Sequence, residues 1–192
     1  AVDKCIEENK NVMLLNGIYY IDDFHDYYND NGPKSAICFP NAWREIQFYG
    51  QNSEYGFQKK YDNGVVIYVS ENALNKVSEE TDIIRSYWTN AGIQNGSSLH
   101  MKNISVILAN NQHKLRCIDL RRTDRAELKN ITLISYGDSI HEDSDYGLGT
   151  PPEIPAKGCI GLTMTDGSNN SYSNYINVQT YGFDEGIQVG GE

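Results

Sequence analysis

The sequence predicts an all-β parallel solenoid, because two short apolar patterns recur, their spacings agree, and polar residues alternate with the apolar ones. One pattern runs Asn103-Ile104-Ser105-Val106, Asn130-Ile131-Thr132-Leu133 and Tyr175-Ile176-Asn177-Val178. The other runs Cys117-Ile118-Asp119-Leu120, Cys159-Ile160-Gly161-Leu162 and Gly186-Ile187-Gln188-Val189. Ile104 and Ile131 lie 27 residues apart, as do Ile160 and Ile187, so two different segments share one period. The steps from Ile118 to Ile160 and from Ile131 to Ile176 are longer and both cross the polar segment 137–157. Removing about 15 to 18 residues there restores the period, the mark of stacked turns that bury their apolar faces against one another. Period-two alternation rich in Ile, Val and Thr makes the repeated units strands. Ile104, Val106, Ile118, Leu120, Ile131, Leu133, Ile160, Leu162, Ile176, Val178, Ile187 and Val189 are expected to point inward. Ser105, Thr132 and Asn177 would then stack on one outer wall, and Asp119, Gly161 and Gln188 on another.

In chain order, Val2, Cys5 and Ile6 fall on one face of a short N-terminal helix that residues 9–11 stop. Residues 12–21 form two apolar runs bent at Asn16-Gly17. A polar loop over 22–34 leads to strands expected at 35–40, 44–49 and 64–69, separated by Gly- or Asn-containing turns. Residues 72–88 suit a helical or irregular excursion better than a rung. Trp88 within it either packs against the core, the commoner fate of a large aromatic, or offers a platform for a sugar. Asn103, Asn110, Asn111, Asn130, Asn169, Asn170 and Asn174 sit at turns, a role that Asn fills by tolerating left-handed backbone. The glycosylation-type triplets at Asn103 and Asn130 coincide with core strand starts, so the match reads as accidental. The organisation expected is a capping helix and first strand over 1–22, early irregular turns over 23–98, and regular rungs over 99–192 with an inserted loop at 137–157. The chain stops at a core strand with no polar cap, as expected of the first turns of a longer protein.

The 192 residues carry a formal charge of −10, with no cationic run longer than Arg121-Arg122. That balance argues against nucleic acid or an anionic membrane as the main partner. A polyanionic glycan would need a local basic patch or a bound cation to receive it. No apolar run is long enough to span a bilayer. The four cysteines lack metal-ligand spacing and are too few for a disulfide scaffold. Cys117 and Cys159 share a rung position, about 4.8 Å apart if stacked on adjacent turns, and two free thiols are the expected state.

Three clusters could hold chemistry. Asp119, Arg121, Arg122, Asp124, Arg125 and Glu127 set carboxylates beside guanidiniums, a pairing that can grip a uronate or protonate a leaving oxygen. A solvated ion-pair network explains the same residues. The segment 137–147 places four carboxylates and His141 in one loop that could take Ca²⁺ through oxygen ligands, and Tyr146 suggests an ordered contact surface. Asp184 and Glu185 with Tyr181 supply a third carboxylate and aromatic group of the kind used in glycoside hydrolysis. From these the expected catalytic residues are Asp119, Arg121 and Asp184, with Arg122, Asp124, Arg125, Tyr146 and Tyr181 binding substrate and no resident metal required.

The opening, a capping helix, an apolar strand, then Gly17-Ile18-Tyr19-Tyr20-Ile21, resembles the start of the pectate-lyase-like right-handed β-helix superfamily. The branch it resembles includes rhamnogalacturonases, epimerases and phage tail spikes, and the ladder over 99–192 resembles the body of that fold. The resemblance implies a right-handed single-stranded parallel β-helix that engages a polysaccharide along its outer wall. It implies a polysaccharide lyase or glycoside hydrolase, or alternatively a tail spike that recognises host surface glycans and would trimerise. Either would work outside the cell or on a virion. The hydrolase motifs Gly-His-Gly and Arg-x-Lys of the superfamily are missing from this sequence, so no catalytic residue transfers from it.

Overall fold

Runs of β-branched and aromatic residues bounded by Gly, Asn and Pro form the strands, since such side chains suit a pleated, half-buried surface. The computed structural model describes Lys4, Glu8 and residues 10–27, 32–39, 45–52, 64–77, 80–86, 98–121, 123, 125–136, 154–164 and 173–190. In chain order the elements are β1 (Val12–Leu14), β2 (Gly17–Ile21), β3 (Lys34–Phe39), β4 (Glu45–Gly50), β5 (Val65–Val69), α1 (Glu71–Leu74) and β6 (Thr81–Ser86). They continue with β7 (Ser98–Leu108), β8 (Arg116–Asp119), β9 (Arg125–Ser135), β10 (Ile160–Met164), β11 (Asn174–Tyr181) and β12 (Glu185–Val189). Ser70 caps α1, its hydroxyl accepting from the Ala73 N–H. Of the expected N-terminal helix, the Glu8 N–H donates to the Lys4 carbonyl at 3.0 Å, and the remainder lies outside the described residues.

The chain passes back and forth between two sheets, and among the described residues the twelve strands pair only in parallel, beside one isolated antiparallel bridge between His25 and Ser35. One sheet runs β12-β10-β8-β6-β3. The other joins β1, β4, β7, β9 and β11 along one half and β2, β5, β7, β9 and β11 along the other. Side chains from both sheets, among them Phe39, Phe48, Ile84, Ile104, Ile118, Ile131 and Leu162, meet in one apolar core.

Each long strand of the second sheet bends at an asparagine held in left-handed backbone: Asn103 (φ 59°), Asn130 (φ 54°) and Asn177 (φ 55°). The bend switches which residues face inward. Leu99 and Met101 enter the core before Asn103, and Ile104, Val106 and Leu108 after it; Ala126 and Leu128 precede Asn130, and Ile131 and Leu133 follow. The three amides form a column, in which Asn177 Nδ2 donates to Asn130 Oδ1 and Asn130 Nδ2 to Asn103 Oδ1, both at 3.0 Å. Asn103 Nδ2 continues the column to the Gly50 carbonyl at 3.3 Å. A Cβ on Gly50 would stand 2.0 Å from the Asn103 carbonyl oxygen, so only glycine fits there.

Ile104 lies opposite Ile131 and Leu108 opposite Ser135, the 27-residue register that the sequence predicts. Further along, the register differs. Ile131 faces Val178 rather than Ile176, because Asn177 is the true counterpart of Asn130. Ile118 faces Leu162, and Leu162 faces Ile187, each two residues from expectation. A two-residue slip keeps every side chain on its face, so apolar alternation alone does not detect it. The outer stacks change accordingly to Ser105, Thr132 and Gln179, and to Asp119, Thr163 and Gln188.

Ile176, Ile187 and Val189, expected inside, are 47%, 46% and 72% exposed. Ile176 precedes the bend on the outward parity, and Ile187 and Val189 belong to β12, which pairs on one side only. Residues 81–86, expected to be part of an excursion, form a core strand, with Ile83 and Ile84 buried. Cys117 and Cys159 are free and buried but do not share a rung: the Ile160 N–H bonds the Leu115 carbonyl, setting Cys159 two residues away in register. Burial pushes the Cys159 thiol up to about 12 and raises Cys117 well above its ordinary range.

Ile131→Asp, which buries an unpaired charge, is expected to abolish the cooperative melting transition seen by circular dichroism. Ile187→Asp at a half-exposed edge is expected to preserve it. Asn130→Ala should cost about 1–2 kcal/mol for forcing an alanine into left-handed backbone, and Asn130→Gly less; equal losses in denaturant titrations would show that the backbone angle is not what the asparagine supplies.

Candidate functional site

Two neighbouring strands of the five-stranded sheet present reciprocal charges. β6 contains Asp82-Ile83-Ile84-Arg85 and β8 is Arg116-Cys117-Ile118-Asp119, and the register sets Asp82 opposite Arg116 and Arg85 opposite Asp119. Arg116 Nε donates to Asp82 Oδ1 at 2.7 Å and lies 3.7 Å from Asp119 Oδ2, while its Nη1 donates to Glu80. Asp119 ends β8 and accepts the Arg121 backbone N–H at 2.9 Å, a side-chain turn that redirects the chain. That turn brings the Arg121 guanidinium back as a fork, Nε at 3.0 Å from Oδ1 and Nη2 at 2.9 Å from Oδ2.

Arg85, fully buried, donates to the carbonyls of Pro33 (2.8 Å) and Ser86 (3.0 Å) and stands 5.9 Å from the Tyr27 ring centre. Thr123 Oγ1 donates to Ser86 Oγ at 3.1 Å, closing the rim.

Asp82 and Asp119 are both fully buried, but their surroundings push them apart. Burial and the adjacent Asp119 carboxylate raise Asp82 well above the usual carboxylate range, more than Arg116 lowers it. Burial also opposes ionisation of Asp119, yet the Arg121 fork and the Arg121 and Arg116 charges outweigh it and hold Asp119 low. For Glu80 the Arg116 guanidinium likewise overcomes burial and lowers its carboxyl. With Asp82 protonated, Arg116 and Arg121 are balanced by Glu80 and Asp119. One carboxyl pushed up beside one held down is the arrangement general acid and base catalysis uses. It is also how a buried ionic network satisfies itself.

Of the expected site residues, Asp119 and Arg121 are joined by three hydrogen bonds. Asp119, expected on an outer wall, is instead buried because Arg121 folds over it and β6 supplies Asp82 and Arg85 alongside. Arg122, Asp124, Tyr146 and the acidic loop 137–147 proposed for Ca²⁺ lie outside the described residues. Among the described residues, no three His, Cys, Asp or Glu side chains are gathered for a metal ion. Arg125 is exposed at the start of β9, in the other sheet. Asp184 accepts the Gly158 N–H at 2.7 Å, a contact between two turns. Tyr181 closes β11 and donates to Gln179 Oε1 at 2.8 Å.

Glu80, Asp82, Arg85 and Arg116 belong to the cluster without having been singled out in the sequence. Their signal was there, as Asp-x-x-Arg and Arg-x-x-Asp each enclosing two apolar residues. Comparisons with protein-family models, with curated proteins and with solved structures find no match.

An acid that stays protonated in the folded chain holds a proton that the unfolded chain releases above about pH 4, so its contribution to stability falls as pH rises toward its raised value. Asp119 acts in the opposite sense: its contribution is present above the usual carboxylate range and is lost as pH falls through its lowered value. Asp82→Asn, which mimics the protonated acid, should remove the first slope. Thermal melts between pH 5 and 8 should then show the variant gaining on the parent as pH rises, and a pH-independent difference would mean Asp82 is ionised. Arg116→Met, which removes the partner of Asp82 and Glu80 and leaves Asp119 to Arg121 alone, should cost about 3–5 kcal/mol in denaturant unfolding.

Proposed function

We propose that this chain is a right-handed parallel β-helix of the pectate-lyase-like kind that engages a polysaccharide along its outer wall, as part of a polysaccharide lyase or glycoside hydrolase. The observation that carries the reading is the buried Asp82–Asp119 pair between Arg116 and Arg121, in which burial and the neighbouring carboxylate push Asp82 up while the Arg121 fork holds Asp119 down. Strict parallel pairing with alternation between two sheets, and bends repeated at Asn103, Asn130 and Asn177, support the helical coil. In the enzymatic reading Arg121, at the more open edge of the cluster, meets the sugar acid, Asp119 acts as base, and Asp82 holds the proton to be delivered. Extracellular action fits this substrate.

A second reading has its own support. Asp82 and Asp119 have no exposed surface, and in this reading the cluster stiffens a wall that recognises glycan without cleaving it, as in a trimeric tail spike.

A depolymerisation assay on plant and bacterial-surface polysaccharides, reading reducing ends and unsaturated-uronate absorbance, separates the two. Activity that falls at least a hundredfold in Asp119→Asn, with the β-sheet circular dichroism spectrum retained at the assay temperature, is the expected result for the enzyme. Binding without any bond cleavage would transfer the function to recognition, and neither binding nor cleavage would refute the polysaccharide reading.

A further inference from the structure

The five-stranded sheet ends at β3, and the segment that leads into β3 crosses its outer edge. His25 and Ser35 exchange both backbone hydrogen bonds, the His25 N–H reaching the Ser35 carbonyl at 2.9 Å and the Ser35 N–H the His25 carbonyl at 3.1 Å. The Tyr27 hydroxyl donates to the Ala36 carbonyl at 3.3 Å, and the Lys34 ammonium stands 3.8 Å from the Asp26 carboxylate. The start of the segment is tied down elsewhere. Lys76 Nζ donates to the Asp22 carbonyl at 2.7 Å, Ser70 Oγ to Asp22 Oδ1 at 3.4 Å, and Phe24 packs on the core.

Arg85 links this segment to the buried charges. Its Nε donates to the Pro33 carbonyl at 2.8 Å, just before β3, and its guanidinium lies over the Tyr27 ring at 5.9 Å. In the sheet, Arg85 stands opposite Asp119, and Asp82 precedes it on β6. Arg85 is fully buried, whereas His25 and Asp26 are exposed and Tyr27 is half-buried. The Tyr27 ring thus forms part of the cover over this end of the cluster, and its backbone is joined to the sheet by an edge bridge rather than a ladder. A bridge at one residue pair on a sheet edge opens more readily than a strand paired on both sides, and lids are drawn from such low-stability segments.

We propose that residues 22–27 are a strap, hinged at 22–24, whose end at 25–27 lifts from β3 and uncovers the Arg85 guanidinium to solutes. The inference goes beyond the polysaccharide reading and does not depend on it. Asp82 and Asp119, with no exposed surface, need an opening of this kind to meet any substrate.

The test is labelling of the 192-residue chain with phenylglyoxal, which condenses with accessible guanidiniums, read at Arg85 by peptide mass spectrometry with exposed Arg125 as internal reference. Asp26 and Lys34 are the next opposed residues beyond the bridge, so cysteines there can form a disulfide that fastens the strap. In the parent, Arg85 is expected to label more slowly than Arg125, at a rate insensitive to urea below the unfolding transition. Oxidised Asp26→Cys/Lys34→Cys should slow that rate about tenfold, reduction should restore it, and Tyr27→Ala should raise it about fivefold, with Arg125 unchanged throughout. Equal Arg85 rates in the oxidised and reduced forms would overturn the strap. So would an Arg85 that never labels in the parent while Arg125 is consumed, or one whose rate rises with urea in step with global unfolding. Should Tyr27→Ala fail to fold, comparison of the oxidised and reduced forms carries the test. Because the readout needs no glycan, gated labelling in a chain that neither binds nor cleaves polysaccharide would uphold the strap and refute the polysaccharide reading alone.

Discussion

A left-handed backbone at a single asparagine in each long strand governs the architecture of the seven-stranded sheet. A regular strand sends alternate side chains to opposite faces without interruption. At Asn103, Asn130 and Asn177 the positive φ breaks that rule once per strand, so that the apolar residues on both sides of the bend reach one core. The cost of this backbone is small for asparagine, and the amide column returns hydrogen bonds along the stack. Gly50 completes the column one strand earlier, where a carbonyl accepts and no side chain fits. The bend therefore fixes which residues are available to either wall, including the outward Lys102 and Lys129.

The five-stranded sheet meets a different demand. It buries Asp82, Arg85, Arg116 and Asp119 within two adjacent strands, where unpaired charges would be costly. Arg116 pairs with Asp82 and Glu80, the Arg121 fork holds Asp119, and backbone carbonyls receive Arg85. The two walls thus treat charge oppositely: one buries its ion pairs, and the other turns Lys102 and Lys129 outward.

Much of the fold was legible in the sequence because turn residues and apolar alternation agree wherever the strands are aliphatic. The strands expected at 35–40, 44–49 and 64–69 appear at Lys34–Phe39, Glu45–Gly50 and Val65–Val69. β6 was not legible, since a strand containing Asp82 and Arg85 reads as polar excursion until its partner is known. The third long strand was misaligned because Thr180 stands where its predecessors have Leu133 and Val106, leaving Ile176 as the conspicuous apolar residue. The candidate site was half visible: Asp119 and Arg121 are close in sequence, whereas Glu80 and Asp82 approach them only through strand pairing. Arg122, Asp124 and Tyr146 remain sequence expectations, as they lie outside the described residues.

Parallel rows of similar aliphatic residues have a weakness, in that sliding one strand by two positions leaves the same faces buried. The mirrored order of charges on β6 and β8 removes that freedom. A slide of two would set Asp82 against Ile118 or Arg85 against Cys117, separating both opposed pairs at once inside a dry sheet. The ionic network thereby acts as an alignment key, read by charge where shape alone is ambiguous. A core of interchangeable isoleucines, leucines and valines can then stack in a single order.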